Sequence, residues 1–333
     1  MKRLVWGVLS TAKIGLTKVI PGMLKSDMIR VKGIASRSLA AAQDAVAGLG
    51  LEQAYGSYEA LIDDPEIEVI YNPLPNHLHV PMTLAAARAG KHVLCEKPMA
   101  LNAAEIDQLA EVDGKVLIQE AFMVRHSLQW LEARRLIREG AIGRPRMIQS
   151  FFSYDNIDPG NIRNKVEWGG GGLLDIGCYP IVAGRFLFEA EPARAMALIS
   201  RDAGFGTDVI TSGMLDFGHG RQLTFAVSTQ AGSSQSISVM GSKARLMLPI
   251  PFNQPPDRPQ QVIVDDGATL AGREAVTYTL AASDQYQMMA EAFCRAVRGE
   301  TPLAYGLDDA KQNMRIIDAL FRSETSGQWE SVG

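Results

Sequence analysis

The chain has 333 residues, more than one hydrophobic core usually holds, so its length predicts two domains. Hydrophobic residues make up 47% of it and charged residues 21%, which is the composition of an ordinary soluble globular protein. The formal net charge is −4 and there is no block of like charges, which argues against nucleic acid or an anionic membrane as a partner. Small-molecule chemistry is the leading class.

The N-terminus and the cysteines favour a cytoplasmic location. The apolar run after Lys2 and Arg3 is too short for a secretion signal and better fits a first strand. The three cysteines, Cys95, Cys178 and Cys294, lie far apart without Cys-x-x-Cys spacing, as expected of free thiols in a reducing compartment.

The first turn of the chain has the character of a phosphate-binding loop. Leu4–Leu9 predicts a strand, and a helix is predicted up to about Leu24. Between them, a helix N-terminus can offer backbone N–H groups and its positive dipole to a pyrophosphate. The G-x-G-x-x-G pattern is degenerate here, since Ser10 and Ala12 replace two glycines and only Gly15 remains. A plain strand-to-helix turn is the alternative. The cofactor contacts predicted from this loop are Ser10, Thr11, Ala12 and Ile14.

The second strand, Ile29–Ser36, ends in residues that suit NADP. At this distance beyond the loop, an acid would bind the ribose hydroxyl of NAD, whereas an arginine accommodates a 2′-phosphate. The sequence has Ser36, Arg37 and Ser38 and no acid. It therefore predicts NADP(H) as the preferred cofactor, with NAD(H) as the alternative; Arg37 as a solvated loop residue is the competing interpretation.

A β-α-β unit follows and carries the residues around which the first half is organised. Strands are predicted at Val69–Tyr71 and His92–Cys95, with an Ala-rich helix from Val80 that Gly90 ends. Ligands of open α/β sheets lie beyond the carboxyl ends of such strands, which is where Lys97 follows the second strand. Further helices are predicted at Leu39–Leu49, at Tyr58–Ile62 with Ser57 as N-cap, and after Asn102, and a last strand at Val116–Gln119.

This alternation predicts an α/β fold, a Rossmann-type doubly wound parallel sheet in residues 1–121. From Pro145 the pattern changes to successive strands with short turns, which predicts an α+β domain, 122–333, with a large, mostly antiparallel open sheet and two C-terminal helices, about Ser283–Arg298 and Leu307–Ser323. An open sheet face needs a cover, so a homodimer or higher homo-oligomer is expected. The predicted strands are Met147–Tyr154, Ala195–Ser200, Val209–Phe217, Gln222–Thr229, Ser236–Met240 and Ala244–Leu248.

Four successive glycines, Gly169–Gly172, mark a second constellation. Such a run brings the backbone very close to a neighbour. In the predicted helix Leu173–Phe188, Asp175 and Tyr179 lie one turn apart, so an acid and a phenol share a face and can bind a polar substrate. A buried Asp–Tyr pair that only caps a helix is the alternative.

Taken together, these motifs resemble the glucose-fructose oxidoreductase/inositol dehydrogenase/rhizopine-catabolism (Gfo/Idh/MocA) family, in the branch of dimeric dihydrodiol dehydrogenase and NADP-dependent D-xylose dehydrogenase. The motifs occur in family order over essentially the full length, and the resemblance implies a Rossmann domain followed by a domain whose open sheet often serves dimerisation. The residues that carry it are Ser10–Gly15, Pro75–His79, Cys95–Pro98, Glu120–Arg125 and Gly169–Pro180.

The resemblance also implies roles for individual residues. Lys97 would lie beside the nicotinamide after a cis Pro98 bond, Tyr179 would face it across the substrate hydroxyl, and Asp175 would bind a second hydroxyl. The further cofactor contacts implied are Leu74, Pro75, Asn76, His79, Glu96 and Lys97, and the substrate contacts are Lys97, Arg125, Arg163, Trp168, Asp175 and Tyr179. Relatives commonly carry an aromatic, a histidine and a proline where this chain has Val124, Ser127 and Leu128, which leaves substrate identity open.

The predicted reaction is hydride transfer between NADP(H) and a hydroxyl or carbonyl group of an aldose or related polyol. A phenol of pKa near 10 is a poor base unless a cation stabilises the phenolate, a part that Lys97 can play. Which of Lys97 and Tyr179 carries the proton stays open. A trans-dihydrodiol or inositol dehydrogenase and a non-catalytic NADP-binding regulator are the alternatives. No metal is required, because the five histidines are scattered and no ligand spacing occurs.

Overall fold

A computed structural model describes residues 2–269, 272 and 274–333. The contacts within it divide the chain into two compact units. The first unit comprises Met1–Met123 and Asp284–Gln312, and the second comprises Val124–Ser283 and Asn313–Gly333.

The first unit contains a parallel sheet of six strands among the described residues, in the order β3-β2-β1-β4-β5-β6. This order confirms the predicted Rossmann fold, because the sheet is wound outwards in both directions from β1 and β4. Its strands are β1 (Leu4–Leu9), β2 (Ile29–Ala35), β3 (Gln53–Tyr55), β4 (Val69–Asn72), β5 (His92–Cys95) and β6 (Ile118–Glu120). The helices of its first segment, Met1–Met123, are α1 (Ile20–Met23), α2 (Leu39–Leu49), α3 (Tyr58–Ile62), α4 (His79–Arg88) and α5 (Ala103–Ile106).

Local capping sets several of these helices. Ser38, Ser57 and Asn102 each precede a helix in an extended conformation and accept a hydrogen bond from a backbone N–H group of its first turn. That side-chain acceptor satisfies a donor that the helix itself leaves open. The N-caps predicted at Ser57 and Asn102 are thus confirmed.

The segment Asp284–Gln312 packs in the first unit because α1 and α8 (Gln285–Val297) approach closely. A Cβ at Gly22 would lie 3.1 Å from both the Gln287 nitrogen and the Tyr286 Cβ. Asp284 caps α8 and accepts a hydrogen bond from Lys25 Nζ at 2.7 Å. The predicted domain ranges, 1–121 and 122–333, placed this segment in the second domain. Its packing in the first unit joins residues that are far apart in sequence.

The second unit contains a sheet of nine strands among the described residues, ordered β14-β13-β12-β11-β7-β10-β9-β8-β15. All of its neighbours pair antiparallel except β7 and β10, which confirms the mostly antiparallel sheet. The strands are β7 (Pro145–Asp155), β8 (Arg194–Arg201), β9 (Asp208–Asp216), β10 (Gln222–Ser228), β11 (Gln230–Gly241), β12 (Arg245–Leu248), β13 (Gln260–Asp265), β14 (Val276–Leu280) and β15 (Glu330–Ser331).

Helices α6 (Leu128–Arg138) and α7 (Cys178–Phe188) belong to the second unit, and α9 (Leu307–Ser326) contains the division at residues 312 and 313. The stretch Val166–Phe188 is long and apolar enough to cross a membrane. However, residues 171–188 are all buried, which is the position of a core helix.

Candidate functional site

The predicted phosphate loop lies at the carboxyl end of β1. Ser10 adopts a left-handed conformation, with φ of 83°, and its N–H donates to the Ala35 carbonyl at 2.8 Å. Its hydroxyl oxygen accepts a hydrogen bond from the Ala12 N–H at 3.2 Å. The serine hydroxyl therefore closes the turn in which the usual pattern has a glycine.

The helix after this loop begins with a wide π-type turn, Gly15–Val19. A Cβ at Gly15 would meet side-chain carbons of Tyr71 and Pro73 at 3.6 and 3.7 Å, which is ordinary van der Waals contact. The packing of the protein itself therefore does not require a glycine there. Single π turns inside helices occur often at functional sites.

The residues after β2 give mixed results for the predicted 2′-phosphate site. Ser38 caps α2, and Ser36 Oγ accepts a hydrogen bond from the Ser38 N–H at 3.2 Å. Arg37 is exposed and lies near the Tyr58 side chain. Burial raises the pKa of the Tyr58 phenol, and Arg37 opposes that rise. The guanidinium thus has a neighbour that orients it, and its exposure leaves it accessible to a phosphate.

His79 lies at the centre of the loop that follows β4. Its Nε2 is 2.6 Å from the Leu74 carbonyl oxygen and its Nδ1 is 2.7 Å from the Pro98 carbonyl oxygen. Burial lowers the pKa of the imidazole to about 4, against the effect of the two carbonyl groups, and the Lys97 cation lowers it further. Both ring nitrogens therefore contact the protein backbone and connect the loop after β4 to the corner after β5.

That corner contains Glu96, Lys97 and Pro98, and the Lys97–Pro98 bond is cis, as the resemblance implied. Glu96 Oε1 accepts a hydrogen bond from the Tyr71 hydroxyl at 2.7 Å, and its Oε2 accepts one from the Lys97 N–H at 3.3 Å. Lys97 is partly buried. The corner therefore fixes the Lys97 backbone at the carboxyl end of β5, while Pro75 and Asn76 lie in the loop after β4.

In the second unit, the glycine run packs against the protein itself. A Cβ at Gly170 would lie 2.4 Å from the Arg163 carbonyl oxygen, and one at Gly171 would lie 1.9 Å from Asp208 Oδ1. Gly171 also has φ of 118°, which side-chain-bearing residues rarely adopt. The predicted close neighbour of this loop is thus a carboxylate and a backbone segment of the same unit.

Asp175 lies in the wide helical turn Leu173–Gly177 that precedes α7. Its Oδ2 accepts hydrogen bonds from the Tyr154 hydroxyl at 2.6 Å and from Arg163 Nε at 2.9 Å. The Asp175 carboxylate raises the pKa of the Arg163 guanidinium, and burial followed by Asp175 raises that of the Tyr154 phenol. The structure thus joins the two candidates Arg163 and Asp175, and adds Tyr154, which sequence reasoning saw only as a strand end.

The Tyr179 ring is held among aromatic rings. Its centroid lies 5.7 Å from that of Phe152 and 5.3 Å from that of Phe252, and these two rings stack at 4.7 Å. Trp130 contacts Phe252 and donates its Nε1–H to the Pro251 carbonyl at 2.8 Å. This packing restricts the direction of the phenol. Sequence reasoning missed Phe252, which follows β12 in a proline-rich loop with no chemical motif.

The other substrate candidates lie in the same unit. Arg125 is 3% exposed, in the turn Met123–His126. Trp168 is partly buried, with Lys165 Nζ 4.2 Å from the centre of its ring. The first unit thus carries every predicted cofactor residue, including Lys97, and the second carries the other substrate candidates.

The first unit fits a dinucleotide. Its strand order reverses between β1 and β4, and ligands of open α/β sheets bind at this switch point, beyond the carboxyl ends of the strands. The residues at those ends include a serine-closed turn before a helix, an exposed arginine and a carboxylate, a donor and acceptor set suited to pyrophosphate, 2′-phosphate and ribose. They are Ser10, Arg37 and Glu96.

Comparison with known proteins agrees with this geometry. Residues 5–116 match the model of the oxidoreductase family with an NAD-binding Rossmann fold, and residues 130–247 match that of the GFO/IDH/MocA C-terminal domain.

The chain belongs to the Gfo/Idh/MocA oxidoreductase family.

Its similarity to individual members extends over nearly the whole chain. An uncharacterised oxidoreductase from Rhizobium meliloti is 43% identical over 98% of both chains. A D-xylose 1-dehydrogenase (NADP(+)) from Haloferax volcanii is 35% identical over 97% of this chain and 98% of its own. Among solved structures, a 3-ketoreductase from Actinomadura kijaniata, in complex with NADP and TDP-benzene, superimposes with a TM-score of 0.90 at 26% identity, over 97% of this chain and 98% of its own.

These matches confirm the family predicted from the motifs, and with it an NAD(P)-dependent oxidoreductase. The matched family model, that of an NAD-binding Rossmann fold, covers the turn at Ser10. The roles of single residues remain predictions.

Proposed function

We propose that this protein is an NADP-preferring dehydrogenase or reductase that acts on a hydroxyl or carbonyl group of an aldose or related polyol. One observation carries the proposal: Lys97 follows β5 at the carboxyl edge of a six-stranded Rossmann sheet, in a corner whose backbone Glu96 and His79 fix. A non-catalytic regulator would not need a lysine in this place. The similarity to an NADP-dependent D-xylose dehydrogenase supports the substrate class.

When bound, the nicotinamide supplies the hydride acceptor or donor. In the proposed mechanism Tyr179 exchanges the proton of the substrate hydroxyl, and Lys97 polarises the substrate oxygen and stabilises the phenolate. Asp175 orients a second hydroxyl, while Tyr154 and Arg163 hold its Oδ2 in place. Phe152 and Phe252 fix the direction of the phenol.

The cofactor preference is proposed to depend on Arg37. Because Arg37 is exposed beside Tyr58 and no acid follows β2, a 2′-phosphate would gain a charge-assisted contact there. Arg37→Ala should raise KM for NADP⁺ by roughly tenfold and leave KM for NAD⁺ within about twofold, since a hydrogen bond to a charged group contributes on the order of 1.5–3 kcal/mol. Equal effects on both cofactors would contradict this assignment.

The decisive experiment is a screen of NADP⁺ and NAD⁺ reduction against pentoses, hexoses, inositols and trans-dihydrodiols. Turnover with an aldose supports the proposal, turnover with inositols or dihydrodiols alone moves the protein to the alternative substrates, and none at all favours the regulator. On the best substrate, Lys97→Met and Tyr179→Phe should each lower kcat by about 100-fold or more, the usual size of an acid–base contribution. Cofactor affinity, measured separately by fluorescence titration, serves as the control. Near-native rates in both variants would end the mechanism.

We also propose a cytoplasmic homodimer that forms through the open face of the nine-stranded sheet. Along one row of this face, Leu198, Ser212, Ala226 and Phe151 are neighbours across four strands. Leu198 is 75% exposed and Phe151 37%, and apolar side chains exposed on a sheet face suit a partner surface. Sedimentation of the wild type and of Leu198→Glu checks this proposal, because a dimer of this kind should dissociate in the variant and a monomeric wild type would exclude it.

A further inference from the structure

Asp208, the first residue of β9, lies against the glycine run Gly169–Gly172. It is 1% exposed. Its Oδ2 accepts a short hydrogen bond from the Leu173 N–H at 2.6 Å and a longer one from the Thr211 hydroxyl at 3.3 Å. Leu173 begins the wide helical turn that contains Asp175, so the carboxylate satisfies a backbone donor at the start of that helix.

The loop is shaped around this carboxylate. A Cβ at Gly171 would lie 1.9 Å from Asp208 Oδ1, and a Cβ at Gly172 would lie 3.5 Å from Oδ2. Both oxygens of Asp208 are thus in contact with the loop. The glycine at position 171 is what allows this approach, because any side chain would have to displace the carboxylate.

The same glycine connects Asp208 to the proposed substrate residue. The Asp175 N–H donates to the Gly171 carbonyl at 3.1 Å, while the Asp175 side chain accepts from Tyr154 and Arg163. A shift of Gly171 therefore moves the backbone of Asp175 directly.

Keeping this carboxylate in place is costly. Burial raises the pKa of Asp208 to about 6, although the Leu173 N–H and Arg201 on β8 oppose the rise. Tyr154 on β7 also interacts with it electrostatically. An uncharged side chain would avoid the cost of burying a charge, but it would accept more weakly from the Leu173 N–H and the Thr211 hydroxyl. When a buried charged side chain lowers the stability of the fold relative to an uncharged one, a functional requirement can explain why it is present.

We propose that Asp208 is a positioning residue for the reaction, whose carboxylate fixes the glycine loop and the first helical turn so that Asp175 and Tyr179 keep their working orientation. This inference rests on the proposed function for its catalytic consequence. The positioning itself can be measured without activity.

The test compares Asp208→Asn with Asp216→Asn in the full-length protein. Asp216 makes a matched control, because it ends the same strand and binds Gly218 and Arg194 instead of the glycine loop. For Asp208→Asn, kcat should fall by about ten- to 100-fold with KM for NADP⁺ within twofold, as expected when reacting groups are misplaced by up to about 1 Å. Amide hydrogen exchange in peptides that cover residues 170–176 should become at least tenfold faster. Asp216→Asn should change neither quantity.

The pH dependence of kcat is a further measurement, and a purely structural role of Asp208 would not change it. The ratio of the wild-type kcat to that of Asp208→Asn should fall as the pH drops through about 6, because protonation removes from the wild type the charge that the variant lacks. The proposal is overturned if either kcat or the exchange of residues 170–176 stays at the wild-type value. Should the wild type show no turnover in the substrate screen, the proposed function fails, and exchange alone decides the positioning role. Asp208→Ser, which keeps a capping oxygen without the charge, replaces the Asn variant if that variant does not fold.

Discussion

The two glycine-containing loops of this protein, Ser10–Gly15 and Gly169–Gly172, differ in what they pack against. In the first loop, Ser10 tolerates a φ of 83° and a Cβ at Gly15 would find ordinary contacts at 3.6 Å or more. In the second, a Cβ at Gly170 or Gly171 would collide with atoms of the same unit at 2.4 and 1.9 Å.

The difference shows that the number of glycines is a poor guide to the importance of a loop. A nucleotide loop can lose glycines when a small side chain takes over part of the turn, as Ser10 Oγ does for the Ala12 N–H. A loop that packs on its own protein cannot, because the neighbouring atoms are fixed. The fold thus constrains the second loop, whereas the packing of the protein itself leaves room in the first.

The largest expected effect is that of Gly171→Ala. The new methyl group would overlap Asp208 Oδ1, and φ of 118° would be strained in any residue with a Cβ. Overpacking and backbone strain each cost on the order of 1–3 kcal/mol, so the free energy of unfolding should fall by about 3–5 kcal/mol. Urea denaturation followed by circular dichroism measures this change.

Gly232→Ala is the control for this prediction. Gly232 lies in β11, and a Cβ there has nothing within 4 Å, so the free energy of unfolding should stay within about 0.5 kcal/mol of the wild-type value. If the two alanine variants are equally stable, the second loop is not fixed by its contact with Asp208, and the contrast between the loops fails.

An effect of intermediate size concerns pH and Asp208. Because the folded-state pKa of Asp208 is raised to about 6 from its ordinary value of 3.8, the native state binds more protons than the unfolded state between these values. Stability contributed by the group is therefore present at low pH and is lost as the pH rises to about 6. At pH 7 the buried Asp208 carboxylate lowers the free energy of unfolding by up to about 3 kcal/mol.

Asp208→Asn removes this titration. Its free energy of unfolding, relative to the wild type, should shift in favour of the variant by up to about 3 kcal/mol between pH 4 and pH 7. Urea unfolding at both pH values, with Asp216→Asn as the control, measures the shift. The pKa of Asp216 is lowered instead, by hydrogen bonds from the Gly218 N–H and Arg194. A shift in the same direction in both variants would therefore contradict the argument.

Apart from the control Gly232→Ala, the smallest effect on stability is expected for Gly15→Ala in the first loop. The position is helical and has room for a methyl group, so the free energy of unfolding should be unchanged or rise by up to about 1 kcal/mol. If the dinucleotide approaches this backbone, the affinity for NADP⁺ should nevertheless fall, which a fluorescence titration detects. If neither the stability nor the affinity for NADP⁺ changes, contact with the cofactor does not explain why position 15 is a glycine.

Much of the fold could be read from local signals. The bounds Leu4–Leu9, Leu39–Leu49, Tyr58–Ile62 and His92–Cys95 were predicted as observed, because strand runs, caps and helix ends are written in neighbouring residues. The short edge strand β3 and the strands β13 and β14 were missed, since they form by pairing with β2, β12 and each other.

The candidate site divides in the same way. Local motifs were enough to predict the family and the Rossmann fold and to name Lys97, Asp175 and Tyr179 as candidates, because each is marked by a few adjacent residues. Only the tertiary structure brought Tyr154, Asp208 and Phe252 to the residues they support. Asp208 binds a backbone group 35 positions away, and contacts across such distances depend on how strands pair and pack, which the order of residues along the chain does not display.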